Sequence, residues 1–107
     1  TGVQSVLFRS AVALDEAGCF AITLEKVPAA LAAEVTKRVS CATIGIGAGN
    51  ATDGQILVYA DMLGLTQGFK PKFLRQYANL GKEMTDAVQA YITDVKASAF
   101  PSAEESY

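Results

Sequence analysis

The sequence contains no histidine, and it has only two cysteines, Cys19 and Cys41. Histidine is the most frequent general base and metal ligand in proteins, and every Ser-His or Cys-His nucleophile pair requires it. Any proton transfer by this chain must therefore use carboxylates, lysine or tyrosine. Two cysteines are too few for a disulfide scaffold, and each precedes an apolar segment, so we expect free, buried thiols.

Long apolar runs and blocks of like charge are also missing. Like charges cluster only in pairs such as Lys37-Arg38 and Glu104-Glu105, and the net charge is -2, so we expect no surface that attracts nucleic acid or an anionic membrane. Apolar segments are interrupted far short of the roughly 20 residues that a membrane span needs. The first residues lack the basic-then-apolar pattern of a signal peptide. We expect a cytoplasmic protein.

The first part of the chain alternates between helical and strand patterns. The apolar spacing predicts a helix over 3–17, a strand over 20–24, a helix over 28–39, a strand over 42–46 and a strand over 56–59. Short, nearly continuous apolar runs are typical of strands covered on both faces. With 50% hydrophobic residues, the chain can bury a core, and the alternation predicts parallel βα units.

The second part departs from this alternation. A glycine-rich loop is predicted over 61–69, a helix over 71–80, a break at Gly81, a last helix over 82–98 and a flexible tail over 99–107. Three parallel strands cannot close a barrel and form a small sheet for an independent fold. We therefore expect either a fragment of a larger α/β fold or a chain that assembles with another.

Glu25 is the first candidate functional residue, because it ends the apolar strand. Catalytic groups of parallel α/β folds gather where strands end and loops begin. A carboxylate set against Ile22 and Leu24 would be partly desolvated, which makes it a stronger base near neutral pH. The structural alternative is a strand-end glutamate that caps the next helix or pairs with Lys26.

The second candidate is the glycine-rich segment 45–55, GIGAGNATDGQ. It lacks the last glycine of a dinucleotide-binding GxGxxG motif, and Gln55 stands where the lysine of a P-loop should be. Its glycines allow close approach of the backbone to a ligand or to a neighbouring loop, and their N–H groups can face an anion. A tight turn that needs positive φ explains them equally well.

The third candidate is Asp61 with the loop that follows it, where Lys70 and Lys72 could meet an anionic substrate tail. Solvated surface lysines are the more frequent case. The remaining acids on predicted helices are interpreted as solvated surface charge: Asp15, Glu16, Glu34, Asp86 and Asp94.

Three segments in this order and spacing resemble the ketopantoate hydroxymethyltransferase (3-methyl-2-oxobutanoate hydroxymethyltransferase) family: AGCFAITLEKVP, ATIGIGAGNATDGQILVYADMLGL and FKPKF. The resemblance covers nearly the whole chain and implies that residues 1–107 are the C-terminal portion, about three βα units, of a single (β/α)8 TIM-barrel domain. It implies hydroxymethyl transfer from 5,10-methylenetetrahydrofolate to 3-methyl-2-oxobutanoate, with Mg²⁺ holding the keto acid. It further implies the N-terminal part of the same barrel as a partner and a large homo-oligomer, commonly a decamer.

The resemblance also implies a role for Glu25, which matches the acidic residue of the family's L-E-x-V-P segment and would remove the α-proton. The family's Mg²⁺ ligands lie on earlier strands, so no metal ligand is assigned to this chain. Two positions differ from the family pattern: Lys26 stands where cysteine is frequent, and Ala60 stands where many relatives carry histidine.

Two other functions remain compatible with the sequence. The chain could be a non-catalytic assembly or binding module that kept part of a barrel. It could also belong to a different barrel enzyme, in which the glycine-rich segment binds a phosphate group.

Overall fold

The computed structural model describes residues 2–107, apart from the side chain of Val3. Two compact units are present: residues up to Val58 with Pro71–Leu74, and Tyr59–Lys70 with Arg75–Tyr107. The helices are α1 (Gly2–Glu16), α2 (Ala29–Arg38), α3 (Tyr59–Met62) and α4 (Leu80–Lys96); the strands are β1 (Ala21–Glu25), β2 (Ala42–Ile46) and β3 (Gly54–Gln55); Ala103–Glu105 form a 3-10 turn.

The first unit contains a three-stranded parallel sheet in the order β1-β2-β3. Helix α1 ends where Gly18 takes a φ of 99°, which is the glycine ending that the sequence predicts. Helix α2 begins after Pro28 and connects β1 to β2. The prediction of parallel βα units is confirmed, and β2 has the predicted bounds.

One face of the sheet carries the core of this unit. Ile22 and Leu24 of β1 are buried there with residues of the flanking helices. The other members of the buried cluster are Ala11, Ala32, Val35, Val39 and Ala48. Thr23 and Glu25 point to the opposite face, because side chains alternate along a strand, and both are exposed. The expectation that β1 is covered on both faces is therefore wrong for the described residues.

The third strand does not lie where the sequence predicts it. The strand predicted over 56–59 is instead the short pair Gly54–Gln55, and Tyr59 begins α3. The Asp53 carboxylate accepts a hydrogen bond from the backbone N–H of Thr43, at 2.8 Å, and the pairing of Ile44 with Gly54 follows directly. A hydrogen bond to a loop side chain thus sets the register of β3 on β2, and the spacing of apolar residues in the sequence does not reveal such a bond.

Residues 71–81 correct two further predictions. The helix predicted over 71–80 does not form, and α4 begins only at Leu80. Leu74 donates its N–H to the carbonyl of Pro71 in a single turn, and Tyr77 donates its N–H to the carbonyl of Met62 instead of to its own segment. Gly81 does not break a helix but lies in the first turn of α4. A Cβ at Gly81 would stand 2.6 Å from the Gly64 carbonyl oxygen, so glycine permits this close contact.

Helix α4 starts at Leu80 because its first N–H groups have partners. Leu80 and Gly81 donate to the carbonyls of Leu63 and Gly64, and the Asn79 side chain accepts from Lys82. The apolar stripe of α4 is exposed, with Met84, Val88 and Tyr91 each more than half accessible. None of the helices within residues 2–107 has the length and apolar character needed to cross a membrane.

Both cysteines are free, as expected, but they are half-buried instead of fully buried. Burial raises the pKa of the Cys41 thiol, and the nearby Asp15 carboxylate raises it further.

The Phe100 ring lies edge-on to Tyr91, with centroids 5.6 Å apart, and Ser102 and Glu105 form a capping box at the 3-10 turn. The flexible tail over 99–107 stays a prediction.

Asp15 is not merely a solvated surface charge, contrary to the sequence-based interpretation. Its carboxylate accepts hydrogen bonds from the backbone N–H and the hydroxyl of Ser40, at 2.9 and 3.0 Å, and from the N–H of Cys41, at 3.0 Å. These bonds join the end of α1 to the turn that precedes β2. The backbone N–H of Ser40 lowers the pKa of Asp15 below its ordinary value of 3.8, against the opposing effect of desolvation.

Asp15→Asn should therefore destabilise the protein in a pH-dependent manner. The lowered pKa belongs to the folded state, so the stabilisation is fully present above the unfolded pKa of about 3.9 and is lost as the pH falls through the folded value. In urea denaturation of the protein that carries this chain, the variant should have a lower free energy of unfolding than the unsubstituted protein. The difference should be constant between neutral pH and about pH 5 and should shrink below about pH 4. Glu16→Gln, at the neighbouring exposed carboxylate, is the control and should show no such dependence.

Candidate functional site

Glu25 is the last residue of β1 and lies at the carboxyl end of the sheet. In the parallel register it pairs with Ile46, the last residue of β2. Paired residues of neighbouring strands project to the same face, so Glu25 and Ile46 share the face opposite to the buried core cluster. The structure thus places Glu25 at the strand end that the sequence predicts.

The surroundings of the Glu25 carboxylate differ from the expectation in one respect. Ile22 and Leu24 do not desolvate it, because they project to the other face, and Glu25 is exposed in the described chain. The structural alternatives are not realised either. The N-cap of α2 is Pro28, without a side-chain cap, and among the described residues none forms a hydrogen bond or an ion pair with the Glu25 carboxylate.

The two strands end at the same level, and each is followed by a left-handed residue. Lys26 has a φ of 54° and Gly47 a φ of 67°. The N–H of Lys26 donates to the carbonyl of Ile46 at 2.8 Å, which is the last hydrogen bond of the β1–β2 ladder. Beyond this bond both chains turn away from the sheet, so Glu25 stands at the edge where the loops begin.

The glycine-rich segment packs closely against its neighbours, as a tight structural turn does. A Cβ at Gly47 would lie 2.8 Å from Cδ1 of Phe73, and a Cβ at Gly49 would lie 2.6 Å from the Cβ of Ala29. Both glycines have positive φ, so the backbone conformation and the available space each require glycine. The expectation of close backbone approach is confirmed for neighbouring chain segments, while contact with a ligand stays a prediction.

A small polar network holds this segment on the sheet, and the sequence analysis missed it. Thr43 is fully buried, and its backbone N–H and hydroxyl both donate to the Asp53 carboxylate, at 2.8 and 3.2 Å. The hydroxyls of Thr36 and Thr43 are 2.9 Å apart. Gln55 donates to the carbonyl of Gly49 at 2.7 Å. A threonine inside an apolar strand, followed by an aspartate in a glycine-rich loop, was the available signal.

The third candidate region is divided between the two units. Asp61 lies half-buried in α3, and Lys70 is exposed; both belong to the second unit, as does Ala60. Lys72 belongs to the first unit and is exposed. Neither lysine forms an ion pair with another described residue, so their part in anion binding stays a prediction.

Within residues 2–107, no cluster of three or more cysteine, aspartate or glutamate side chains could hold a metal ion. The carboxylates of the first unit are instead dispersed, with Asp15 and Asp53 engaged by backbone N–H groups. The residues present therefore do not fit a metal centre by themselves.

Asp53→Ala should destabilise the protein by about 1–2 kcal/mol, because it leaves the buried N–H and hydroxyl of Thr43 without their acceptor. Asp53→Asn retains one acceptor oxygen and should cost less. Asn50→Ala changes an exposed position of the same loop and is the matched control. Urea denaturation of the protein that carries this chain measures the free energy of unfolding of all three variants. An equal loss in Asp53→Ala and Asn50→Ala would contradict the stabilising role of the Asp53 hydrogen bonds.

Known proteins resemble this chain over almost its whole length. The family model described as ketopantoate hydroxymethyltransferase matches residues 2–103. The proteins named 3-methyl-2-oxobutanoate hydroxymethyltransferase from Parabacteroides distasonis, Salinibacter ruber and Corynebacterium glutamicum are 58%, 57% and 55% identical to it, over 94%, 88% and 94% of the chain. The matched segments are 37%, 36% and 38% of those relatives, so the chain spans little more than a third of their length. The chain belongs to the ketopantoate hydroxymethyltransferase family and matches its C-terminal part.

Proposed function

We propose that this chain forms the last three βα units of a (β/α)8 barrel in which Glu25 is the general base of a hydroxymethyltransferase. The reaction transfers the one-carbon unit of 5,10-methylenetetrahydrofolate to 3-methyl-2-oxobutanoate, giving 2-dehydropantoate and tetrahydrofolate on the route to pantothenate and coenzyme A. Family membership supports the reaction. The parallel βα units support the barrel, because such units build TIM barrels.

The chemistry requires a base at the carbon next to the ketone. C3 of 3-methyl-2-oxobutanoate carries one proton; the Glu25 carboxylate accepts it, and the C–H electron pair passes into an enolate. C3 then forms a bond to the one-carbon unit, whose bonds to the two folate nitrogens break. Water supplies the hydroxyl oxygen, and the two nitrogens gain one proton from water and the one that Glu25 accepted. Positioned carboxylates perform such proton transfers, and the chain has no histidine to do so.

One observation supports this role for Glu25 above the others. Its carboxylate ends β1 on the face opposite to the core cluster and is engaged by no other described residue. Asp15 and Asp53, by contrast, each accept several hydrogen bonds that hold the fold together. A base must be able to reach the substrate and exchange a proton, so an unengaged strand-end carboxylate suits the task.

The proposal assigns Mg²⁺ to residues outside this chain, because the described residues do not fit a metal centre. Most residues that contact the keto acid also lie outside this chain. The contribution of this chain is the base and the strand end that holds it. No step assigned to Glu25 depends on a metal ligand from this chain.

The partners follow from the same proposal. The N-terminal part of the barrel completes the sheet beside this chain, and complete barrels assemble into a homo-oligomer, commonly a decamer. The exposed apolar residues of the described chain, such as Phe20 and Met84, support contact with further protein. A cytoplasmic location belongs to the same proposal.

Glu25→Gln should abolish most activity, because glutamine keeps the shape of the side chain and removes the base. We expect tetrahydrofolate release and solvent-deuterium exchange at C3 of 3-methyl-2-oxobutanoate to fall together by about 10²- to 10⁴-fold. The assay uses the protein that carries this chain. A hybrid provides a second preparation, with this chain replacing the matching segment of the Parabacteroides distasonis relative.

Glu34→Gln is the matched control, since Glu34 is an exposed glutamate on α2 that pairs only with Lys37 among the described residues. It should retain the rate of the unsubstituted protein. If Glu25→Gln retains both rates, Glu25 is not the base. An assembled barrel without tetrahydrofolate release would favour the non-catalytic module, and tight binding of a phosphorylated ligand without keto-acid binding would favour a different barrel enzyme.

A further inference from the structure

Lys26, directly after the proposed base, has a backbone conformation that its residue type rarely adopts. Its φ is 54°, in the left-handed region where only a few per cent of non-glycine residues are found. This conformation is unfavourable for a side chain with a Cβ, and such residues cluster at functional sites. Lys26 is joined to the candidate base by a peptide bond, so its unfavourable backbone conformation needs an explanation.

Ser98 provides the contrast. It is the other non-glycine residue with positive φ within the described chain, also at 54°. Ser98 follows the end of α4 and donates its N–H to the carbonyl of Val95, an ordinary left-handed helix ending. Lys26 follows a strand, so no helix ending accounts for its conformation.

The hydrogen bonds around Lys26 show what the conformation does. Its N–H donates to the carbonyl of Ile46 at 2.8 Å, which fixes the peptide group between Glu25 and Lys26 against β2. The strand ends at Glu25, and Pro28, two residues after the left-handed Lys26, is already the N-cap of α2. Glu25 is thereby the last residue held in the pleat, with its side chain on the open face.

The neighbouring strand ends in the same way. Gly47 follows Ile46 and has a φ of 67°, so two adjacent strands each end one residue before a left-handed turn. Gly47 also requires glycine for lack of space beside Phe73. Lys26 is exposed, and its ammonium forms no ion pair with a described residue. The backbone, and not the charge, is the common feature of the two positions.

We propose that Lys26 is a positioning residue for the Glu25 base, acting through its left-handed backbone and its N–H bond to Ile46 and not through its ammonium group. This inference rests on the proposed function of Glu25. It concerns how the carboxylate is held, so the effect belongs to kcat more than to the KM of either substrate.

Four substitutions separate the backbone from the charge. Lys26→Arg keeps both features, Lys26→Gly and Lys26→Asn remove the charge but accept positive φ, and Lys26→Val removes the charge and resists positive φ because it is β-branched. We expect the first three to retain kcat in tetrahydrofolate release and C3 deuterium exchange. Lys26→Val should lower kcat by about tenfold to a hundredfold, with KM little changed, because small displacements of a catalytic group are costly.

A double substitution checks that Lys26 acts through Glu25. In the Glu25→Gln background, Lys26→Val should cause no further loss of rate, since the displaced group no longer takes the proton. An equal loss of kcat in Lys26→Gly, Lys26→Asn and Lys26→Val, with kcat retained in Lys26→Arg, would overturn the proposal and indicate an effect of the charge. Full activity of Lys26→Val would overturn it outright. If Glu25→Gln itself is fully active, the proposed function fails and this inference with it.

The measurements use the protein that carries this chain, with the Parabacteroides distasonis hybrid as the second preparation. Elution volume and thermal unfolding identify a variant that does not fold. If Lys26→Val does not fold, Lys26→Asn and Lys26→Gly still test the proposal. Retained kcat in both variants excludes an effect of the lysine charge, and lost kcat in both overturns the proposal that the backbone conformation acts.

Discussion

The pairing of β1 with β2 is the interaction on which the described site depends. Five residue pairs run in register from Ala21 with Ala42 to Glu25 with Ile46, and the ladder closes with the N–H of Lys26 on the carbonyl of Ile46. A shift of this register by one residue would move Glu25 to the face that packs on the helices, because side chains alternate along a strand. The buried pair Ile22 and Leu24 opposes such a shift, since it would expose both.

The register is in turn held from the helix side by polar contacts. Asp15 fastens the turn before β2 through Ser40 and Cys41. Asp53 fastens the first buried residue of β2, Thr43, to the loop that follows the strand. The first part of β2 is thus bound by two carboxylates that accept backbone N–H groups, and such charge-assisted bonds are stronger than neutral ones. Of the acidic side chains in the first unit, these two hold structure, while Glu25 remains unengaged by the described residues.

The sequence predicted the first unit better than the second, for a physical reason. Strand Ala42–Ile46 and the place of Glu25 follow from short apolar runs, which report burial directly. The errors lie where side chains or distant carbonyls determine the backbone. Asp53 sets β3, the carbonyl of Met62 draws the N–H of Tyr77 out of a helix, and Asn79 fixes the start of α4. The expected desolvation of Glu25 by Leu24 failed because adjacent residues of a strand face opposite sides.

The same alternation determines what can tune the proposed base. The neighbours of Glu25 by register, on its own face of the sheet, are Thr23, Ile44 and Ile46. Two of these three are apolar and only half-buried in the described chain. In the proposed barrel, the chain that covers this face would remove water from Glu25 and Ile46 together. This chain fixes where the proposed base stands, and whatever closes over this face determines its surroundings.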